Sequence, residues 1–225
     1  MDGKFLKPRQ MLRELEKVIM DTKDVVVSTD VGNISAVANG YTQFKRPNSY
    51  LAPMTFGNCG YALPVAMGAK VADPSRPCIA YSGDGSFGMS INELMTCHRE
   101  NIPVTAVVFN NGQWGAEKKN QVIWYDNRYT GSNLENPSFA EIAKSMKSEG
   151  IVVNHIDQVG DALKEALKMQ KEGKSCVIEM MCTKELDDPF RRDAMKMPLR
   201  SLAKYKDFES VSEDIHGQPT DVKRS

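Results

Sequence analysis

The chain has 225 residues, with 29 Lys+Arg set against 29 Asp+Glu and a charged fraction of 26%. That length suits one sizeable α/β domain with room for a peripheral tail. A formal charge of zero offers no polyionic surface for nucleic acid. No apolar run reaches bilayer length and the N-terminus carries no signal-peptide pattern, so a cytoplasmic setting without a membrane partner is expected. The five cysteines (Cys59, Cys78, Cys97, Cys176 and Cys182) have no paired short spacing, which points to buried free thiols and away from a zinc site.

Pro8 to Met20 carries Met11, Leu12, Leu15, Val18 and Ile19 at helical spacing, with Pro8 suited to the first turn. Val25-Val26-Val27-Ser28 follows as a short buried strand and runs into Thr29-Asp30-Val31-Gly32-Asn33. That turn is either an ordinary βα loop or an anion contact, through backbone N–H groups near Gly32 and Asn33 at a helix start. It lacks the Gly-x-Gly-x-x-Gly spacing of a dinucleotide-binding turn. Met54 to Pro64 is interrupted by glycines, and the helix Val65 to Val71 after it is rich in small residues, which permit close packing.

Cys78-Ile79-Ala80-Tyr81 and Val104 to Phe109 read as buried parallel strands, with a helix from Ser90 to Glu100 between them. A lone His98 near that helix end reads as structural. A strand, crossover helix and parallel strand take about thirty residues and return the chain to the same edge of the sheet. Gly83-Asp84-Gly85-Ser86-Phe87 and Asn110-Asn111 then lie just past the carboxyl ends of neighbouring strands, where open α/β sheets bind ligands. A carboxylate from Asp84 and an amide oxygen from Asn111 suit a hard cation such as magnesium, which takes its other ligands from water and phosphate. The glycines beside Asp84 let backbone N–H groups approach an anion. The stretch reads as a magnesium–diphosphate anchor.

Gln113-Trp114-Gly115-Ala116-Glu117-Lys118-Lys119-Asn120-Gln121 is too polar for a core helix, although Trp114 and Trp124 call for burial. A position over a ligand or at a subunit interface would explain both. Ser138 to Met146 is an amphipathic helix, Ile151-Val152-Val153 a strand, Val159 to Gln170 a helix, and Ser175 to Met181 a further strand. Such alternation predicts an α/β fold: a doubly wound, mostly parallel sheet with helices on both faces. Residues 1–183 are expected to form the binding domain and 184–225 an extension whose end, from His216, is disordered. In that extension Arg191 and Arg192 either clamp a sulfonate or phosphate or belong to a solvated salt-bridge segment.

Gly83-Asp84-Gly85 followed by Asn110-Asn111 resembles the signature of thiamine diphosphate enzymes. The resemblance implies thiamine diphosphate and Mg2+ as cofactors, with Asp84, the Asn111 side chain and the Gln113 backbone carbonyl on the metal. It places Gly32, Asn33, Gly83, Asp84, Gly85, Ser86, Phe87, Asn111, Gln113 and Trp114 around the cofactor. It further implies that Asn58-Cys59-Gly60 contacts the aminopyrimidine, with Cys59 standing where many relatives have a bulky apolar residue. The strings Asn58 to Tyr61, Gln113 to Gln121 and Cys182 to Ala194 resemble the sulfoacetaldehyde acetyltransferase family, over its C-terminal third only. This implies desulfonation of sulfoacetaldehyde, with release of sulfite and transfer of acetyl to phosphate. In that family an activating glutamate lies on a pyrimidine-binding domain, and none of Glu93, Glu100 or Glu117 has a matching context. A partner domain or subunit, in a homo- or hetero-oligomer, is therefore expected to complete the enzyme. Competing readings are the β-type subunit of a sulfopyruvate or phosphonopyruvate decarboxylase, and a non-catalytic cofactor-binding module. Acetolactate synthase fits the longer strings less well.

Overall fold

The computed structural model describes residues 6–125 and 127–184, with the side chains of Ile123 and Trp124 outside that description. Arg191, Arg192, and the segments 187–193 and 216–225 also lie outside the described residues.

The elements run α1 (Pro8–Asp21), β1 (Val26–Thr29), α2 (Asn33–Tyr41), β2 (Tyr50–Leu51), α3 (Ala62–Ala72), β3 (Cys78–Gly83), α4 (Asp84–Gly88) and α5 (Glu93–Arg99). They continue as β4 (Thr105–Asn110), α6 (Gly115–Trp124), α7 (Phe139–Ser145), β5 (Glu149–Val153), α8 (Val159–Lys171) and β6 (Cys176–Met181). The strands form one six-stranded sheet in the order β2-β1-β3-β4-β6-β5, and every pairing is parallel.

Alternate side chains along the strands feed two separate cores. Val27, Ile79, Tyr81, Val107 and Ile178 pack with Leu12, Leu15, Val37 and Leu163 from α1, α2 and α8. Val26, Ala80, Ala106, Val108 and Val177 pack with Leu63, Ala66, Leu94 and Phe139 from α3, α5 and α7. The central strands are therefore apolar on both sides and read as near-continuous apolar runs, as covered parallel strands must. Burial of each large side chain contributes about 1.5–3 kcal/mol.

This face assignment fixes where a ligand can sit. After β1 the chain leaves for α2 on one face, whereas after the adjacent β3 it leaves for α4 and α5 on the other. Right-handed crossovers require that reversal, because β2 lies outward from β1 while β4 lies on the opposite side of β3. Loops diverging to opposite faces open a crevice at the carboxyl ends of β1 and β3, the position where such sheets take ligands. The turn at 30–33 and the segment beginning at Asp84 border it.

Several local boundaries differ from the sequence expectation: α5 starts at Glu93 where Ser90 was expected, and β5 at Glu149 where Ile151 was expected. β2 is two residues long, too short to leave a period. Residues 84–88 form a short helix, which carries no sequence signal of its own. α3 begins at Ala62, three positions before the expected Val65, because the Asp30 carboxylate receives the N–H groups of Tyr61 (3.3 Å) and Ala62 (3.1 Å) at its start. All five cysteines are free, four of them buried and Cys59 half-buried. Among the described residues no helix is long and apolar enough to cross a membrane.

Candidate functional site

Asp84 follows the last residue of β3, and Gly83 lies opposite Phe109 in β4, so Asp84 and Asn110 end neighbouring strands. The Asp84 side chain is 3% exposed. Its Oδ2 accepts the Asn136 amide at 2.7 Å and the Gln113 N–H at 3.2 Å. Burial pushes the Asp84 carboxyl above its ordinary pKa, against the opposing effect of the Asn136 amide and of the Gly85, Gly112 and Asp84 N–H groups. A divalent cation would relieve that cost by restoring an opposite charge. Asn111 Oδ1 accepts the same Gln113 N–H at 3.2 Å, which holds both side chains around one turn.

Asn33, in the first position of α2, comes from the other wall of the crevice. Gly115 brings these groups together: a Cβ at that position would lie 3.3 Å from Asn33 Nδ2, 3.6 Å from Asn111 Nδ2 and 3.9 Å from Gln113 Nε2. Asn33 Oδ1 is buried and has no partner among the described residues, although buried polar oxygens ordinarily do. Gly32 opens the crevice side of this helix at φ 103°, a conformation favouring glycine. Among the described residues no group of three or more His, Cys, Asp or Glu is arranged so that it could hold a metal ion. A single carboxylate flanked by amide and backbone oxygens suits magnesium, which needs few protein ligands, and does not suit zinc.

The loop ending at Gly60 forms a third wall. Asp30, fully buried, ties it down through Tyr61 and Ala62 and also accepts the Ser82 hydroxyl at 3.1 Å. Burial raises the Asp30 carboxyl, while the donors at Ala62, Tyr61, Ser82 and Val31 oppose that rise. Gly60 (φ 78°) passes so close to Met89 that a Cβ there would meet the Met89 Cβ at 3.2 Å. Burial first, then the Asp30 and Glu117 charges, push the Cys59 thiol above its ordinary pKa, against the lowering influence of the nearby Ser86 side chain. It therefore remains a neutral thiol, and Asn58 beside it is exposed.

Trp114 lies over Gly85: a Cβ on Gly85 would meet its ring at 2.8 Å. Gly85→Ala is therefore expected to displace the indole, lower stability by about 1–3 kcal/mol and change the tryptophan emission. Unchanged emission would show that the indole keeps its place, and a changed emission with an unchanged urea midpoint would show that the ring yields freely.

Not every expected residue faces the crevice. The Phe87 ring is fully buried in a T-shaped contact with Phe139, centroids 5.5 Å apart, so only its backbone is available to a ligand. His98 is exposed in the last turn of α5. Two residues that the motifs did not mark, Asn136 and Glu179, support the site. Glu179 is 2% exposed in β6, where it binds Asn110 Nδ2 at 2.8 Å and Ser138 Oγ at 2.7 Å. A glutamate within the otherwise apolar run Ser175 to Met181 was its one signal in the sequence, since glutamate is seldom buried without partners.

Residues 30–180 match the family described as thiamine pyrophosphate enzyme, C-terminal TPP binding domain. The chain belongs to that family, and thiamine diphosphate is the cofactor such a domain serves. It is 62% identical over 207 residues to the sulfoacetaldehyde acetyltransferase of Alcaligenes xylosoxydans xylosoxydans, covering 92% of this chain and 34% of that protein. Its identity to the protein of the same name from Castellaniella defragrans is 57% over 208 residues, with the same coverage of 92% and 34%. The mitochondrial acetolactate synthase catalytic subunit of Saccharomyces cerevisiae is 32% identical over 164 residues, 72% of this chain and 24% of that one. The chain thus spans about a third of the length of the acetyltransferases it matches. Among solved structures, the thiamine diphosphate-dependent 4-hydroxybenzoylformate decarboxylase of Rhodococcus jostii RHA1 superimposes with a TM-score of 0.72 at 23% identity. That likeness, over 83% of this chain and 34% of the other, shows the shared fold.

Proposed function

We propose that this chain is the thiamine diphosphate-binding part of a sulfoacetaldehyde acetyltransferase, which converts sulfoacetaldehyde and phosphate to acetyl phosphate and sulfite. The observation that carries this reading is the 62% identity to a protein of that name over 92% of the chain. That span includes each of the strings around Asn58, Gln113 and Trp114.

The site's own chemistry fits the cofactor. The Asp84 carboxylate, the Asn111 side chain and the Gln113 backbone carbonyl would hold Mg2+, and the metal would neutralise the diphosphate. Gly32, Asn33, Gly83, Gly85 and Ser86 border the crevice where backbone N–H groups and the Asn33 Nδ2 donor, which lies beside Gly115, would receive that anion. Asn58, Cys59 and Gly60 would support the aminopyrimidine, Cys59 by shape, since its thiol stays neutral. Phe87 would contribute backbone, and Trp114 closes the site over Gly85. When bound, the cofactor supplies the carbon nucleophile and electron sink for desulfonation, while the protein supplies orientation and excludes water.

Activity requires a pyrimidine-binding domain or subunit carrying the activating glutamate, within a homo- or hetero-oligomeric, cytoplasmic enzyme. The surface beside the Asn58 to Gly60 loop supports this. Met54, Phe56 and Met89 are 75%, 89% and 60% exposed, and Met89 lies against Gly60, so large apolar side chains on and beside this loop are left for another protein surface to cover. Residues 1–183 form the binding unit in this reading and 184–225 an extension, with Arg191 and Arg192 as candidates for holding the sulfonate or phosphate.

Product analysis on the chain combined with its pyrimidine-binding partner tests the reaction. Sulfite together with phosphate-dependent acetyl phosphate is expected from sulfoacetaldehyde. Carbon dioxide from sulfopyruvate, with no acetyl phosphate from sulfoacetaldehyde, would assign the chain to a decarboxylase instead.

A further inference from the structure

We propose that Glu179 is a positioning residue for the Asp84 carboxylate, acting through the side-chain amides of Asn110 and Asn136. The inference rests on the reading of Asp84 as the metal-holding carboxylate.

The hydrogen bonds between these four residues have a single consistent direction. Glu179 faces donors alone: Oε1 accepts Asn110 Nδ2 at 2.8 Å, and Oε2 accepts Ser138 Oγ at 2.7 Å and the Ala140 N–H at 3.1 Å. A carboxylate is an acceptor, so it fixes which way the Asn110 amide points. Asn110 Oδ1 is thereby turned to accept Asn136 Nδ2 at 3.1 Å and the Gly112 N–H at 3.3 Å. The Asn136 amide nitrogen has two hydrogens, and the second reaches Asp84 Oδ2 at 2.7 Å. Reversing either amide would set like groups against each other. Glu179 and Asn110 are 2% and 5% exposed, so water is poorly placed to repair a reversed pair. Glu179 thus determines that a donor, and not an acceptor, meets Asp84, and this donor pins the rotation of its carboxylate. Residues behind metal ligands typically alter metal affinity 10–100-fold.

The isosteric change Glu179→Gln separates polarity from packing. Its amide must either face the Ala140 N–H with a donor or force Asn110 to turn a donor toward Asn136. Asn136→Ala removes the last link from a half-buried loop position, where the fold tolerates truncation. Ser138→Ala serves as the control: it removes one Glu179 partner and the cap of α7 without reversing any amide.

The experiment titrates magnesium into the full chain with thiamine diphosphate and reads cofactor binding by calorimetry, with thermal unfolding recorded alongside. Glu179→Gln and Asn136→Ala are expected to raise the magnesium midpoint roughly 10–100-fold, with cofactor binding recovered at saturating magnesium. Ser138→Ala is expected to lower the unfolding temperature and keep the parent midpoint. An equal midpoint shift in all three variants would reduce Glu179 to a structural role and overturn the proposal. Parent midpoints in Glu179→Gln and Asn136→Ala, with binding lost in Asp84→Ala, would overturn the relay alone. Parent-like binding in Asp84→Ala, or no magnesium-dependent binding by the parent chain, would overturn the site reading and the relay with it.

Discussion

Asp84→Ala is expected to abolish magnesium-dependent retention of thiamine diphosphate while leaving the fold in place. Among the described residues Asp84 is the one carboxylate at the carboxyl ends of β3 and β4 that sits beside Asn111 and the Gln113 turn. Its loss removes the negative charge that would offset the metal. An effect above a hundredfold is expected, beyond the roughly 10–100-fold typical of residues behind a metal ligand. The fold survives because the substitution also removes a charge that burial disfavours. What remains unpaired is the Asn136 amide and the Gln113 N–H, a cost of about 1–3 kcal/mol each at most. Calorimetric titration with far-UV circular dichroism checks both statements. Asn111→Ala should weaken retention less, because a neutral ligand contributes less charge. Unchanged cofactor affinity in Asp84→Ala would remove Asp84 from the site, and a larger loss in Asn111→Ala would reverse the ranking.

Gly150→Ala is expected to give the largest loss of stability. Gly150 lies in β5 opposite Val177, and α7 crosses directly over it. A Cβ there would collide with the Ala140 carbonyl, lying 2.7 Å from its carbon and 2.9 Å from the Ala140 Cα. The obstacle is backbone, so no rotamer change relieves it, and α7 must move off the sheet. That movement would withdraw the Ser138 hydroxyl and Ala140 N–H from Glu179, leaving a buried carboxylate short of donors. Overpacking of this kind costs about 3 kcal/mol, readable as a lower urea midpoint. A loss below about 1 kcal/mol would show that α7 is not fixed by this contact.

These two positions differ in how far the sequence exposes them. The placement of Asp84 and Asn111 just past the ends of β3 and β4 was legible because the apolar runs before them mark two neighbouring parallel strands. The apolar runs at Val25 to Ser28, Cys78 to Tyr81, Val104 to Phe109, Ile151 to Val153 and Ser175 to Met181 likewise marked five of the strands. Helix α1 declared itself through Pro8 and the spacing of Met11 to Ile19.

What escaped depends on contacts between distant segments. β2 is a strand only because Tyr50 and Leu51 pair with Val27 and Ser28. The early start of α3 requires the Asp30 carboxylate, 31 and 32 positions earlier in the chain. Asn136 precedes a proline in a polar loop and carries no local pattern. Its role arises when the loop's Leu134 N–H binds the Gly112 carbonyl at 2.9 Å, which brings Asn136 to Asp84. The polar character of residues 113–121 was legible, whereas its reason was not. Gly115 begins α6 against the Asn33 and Asn111 amides, a polar surrounding assembled from segments distant in the sequence.

Sulfite release from sulfoacetaldehyde, with thiamine diphosphate, magnesium and phosphate present, tests the account most directly. It is measured on this chain alone and on the complex the chain forms in its native extract. Phosphate-dependent sulfite from the complex, with none from the isolated chain, is the predicted result. Robust turnover by the chain alone would contradict the need for a separate activating glutamate, and no sulfite from either would contradict the acetyltransferase assignment.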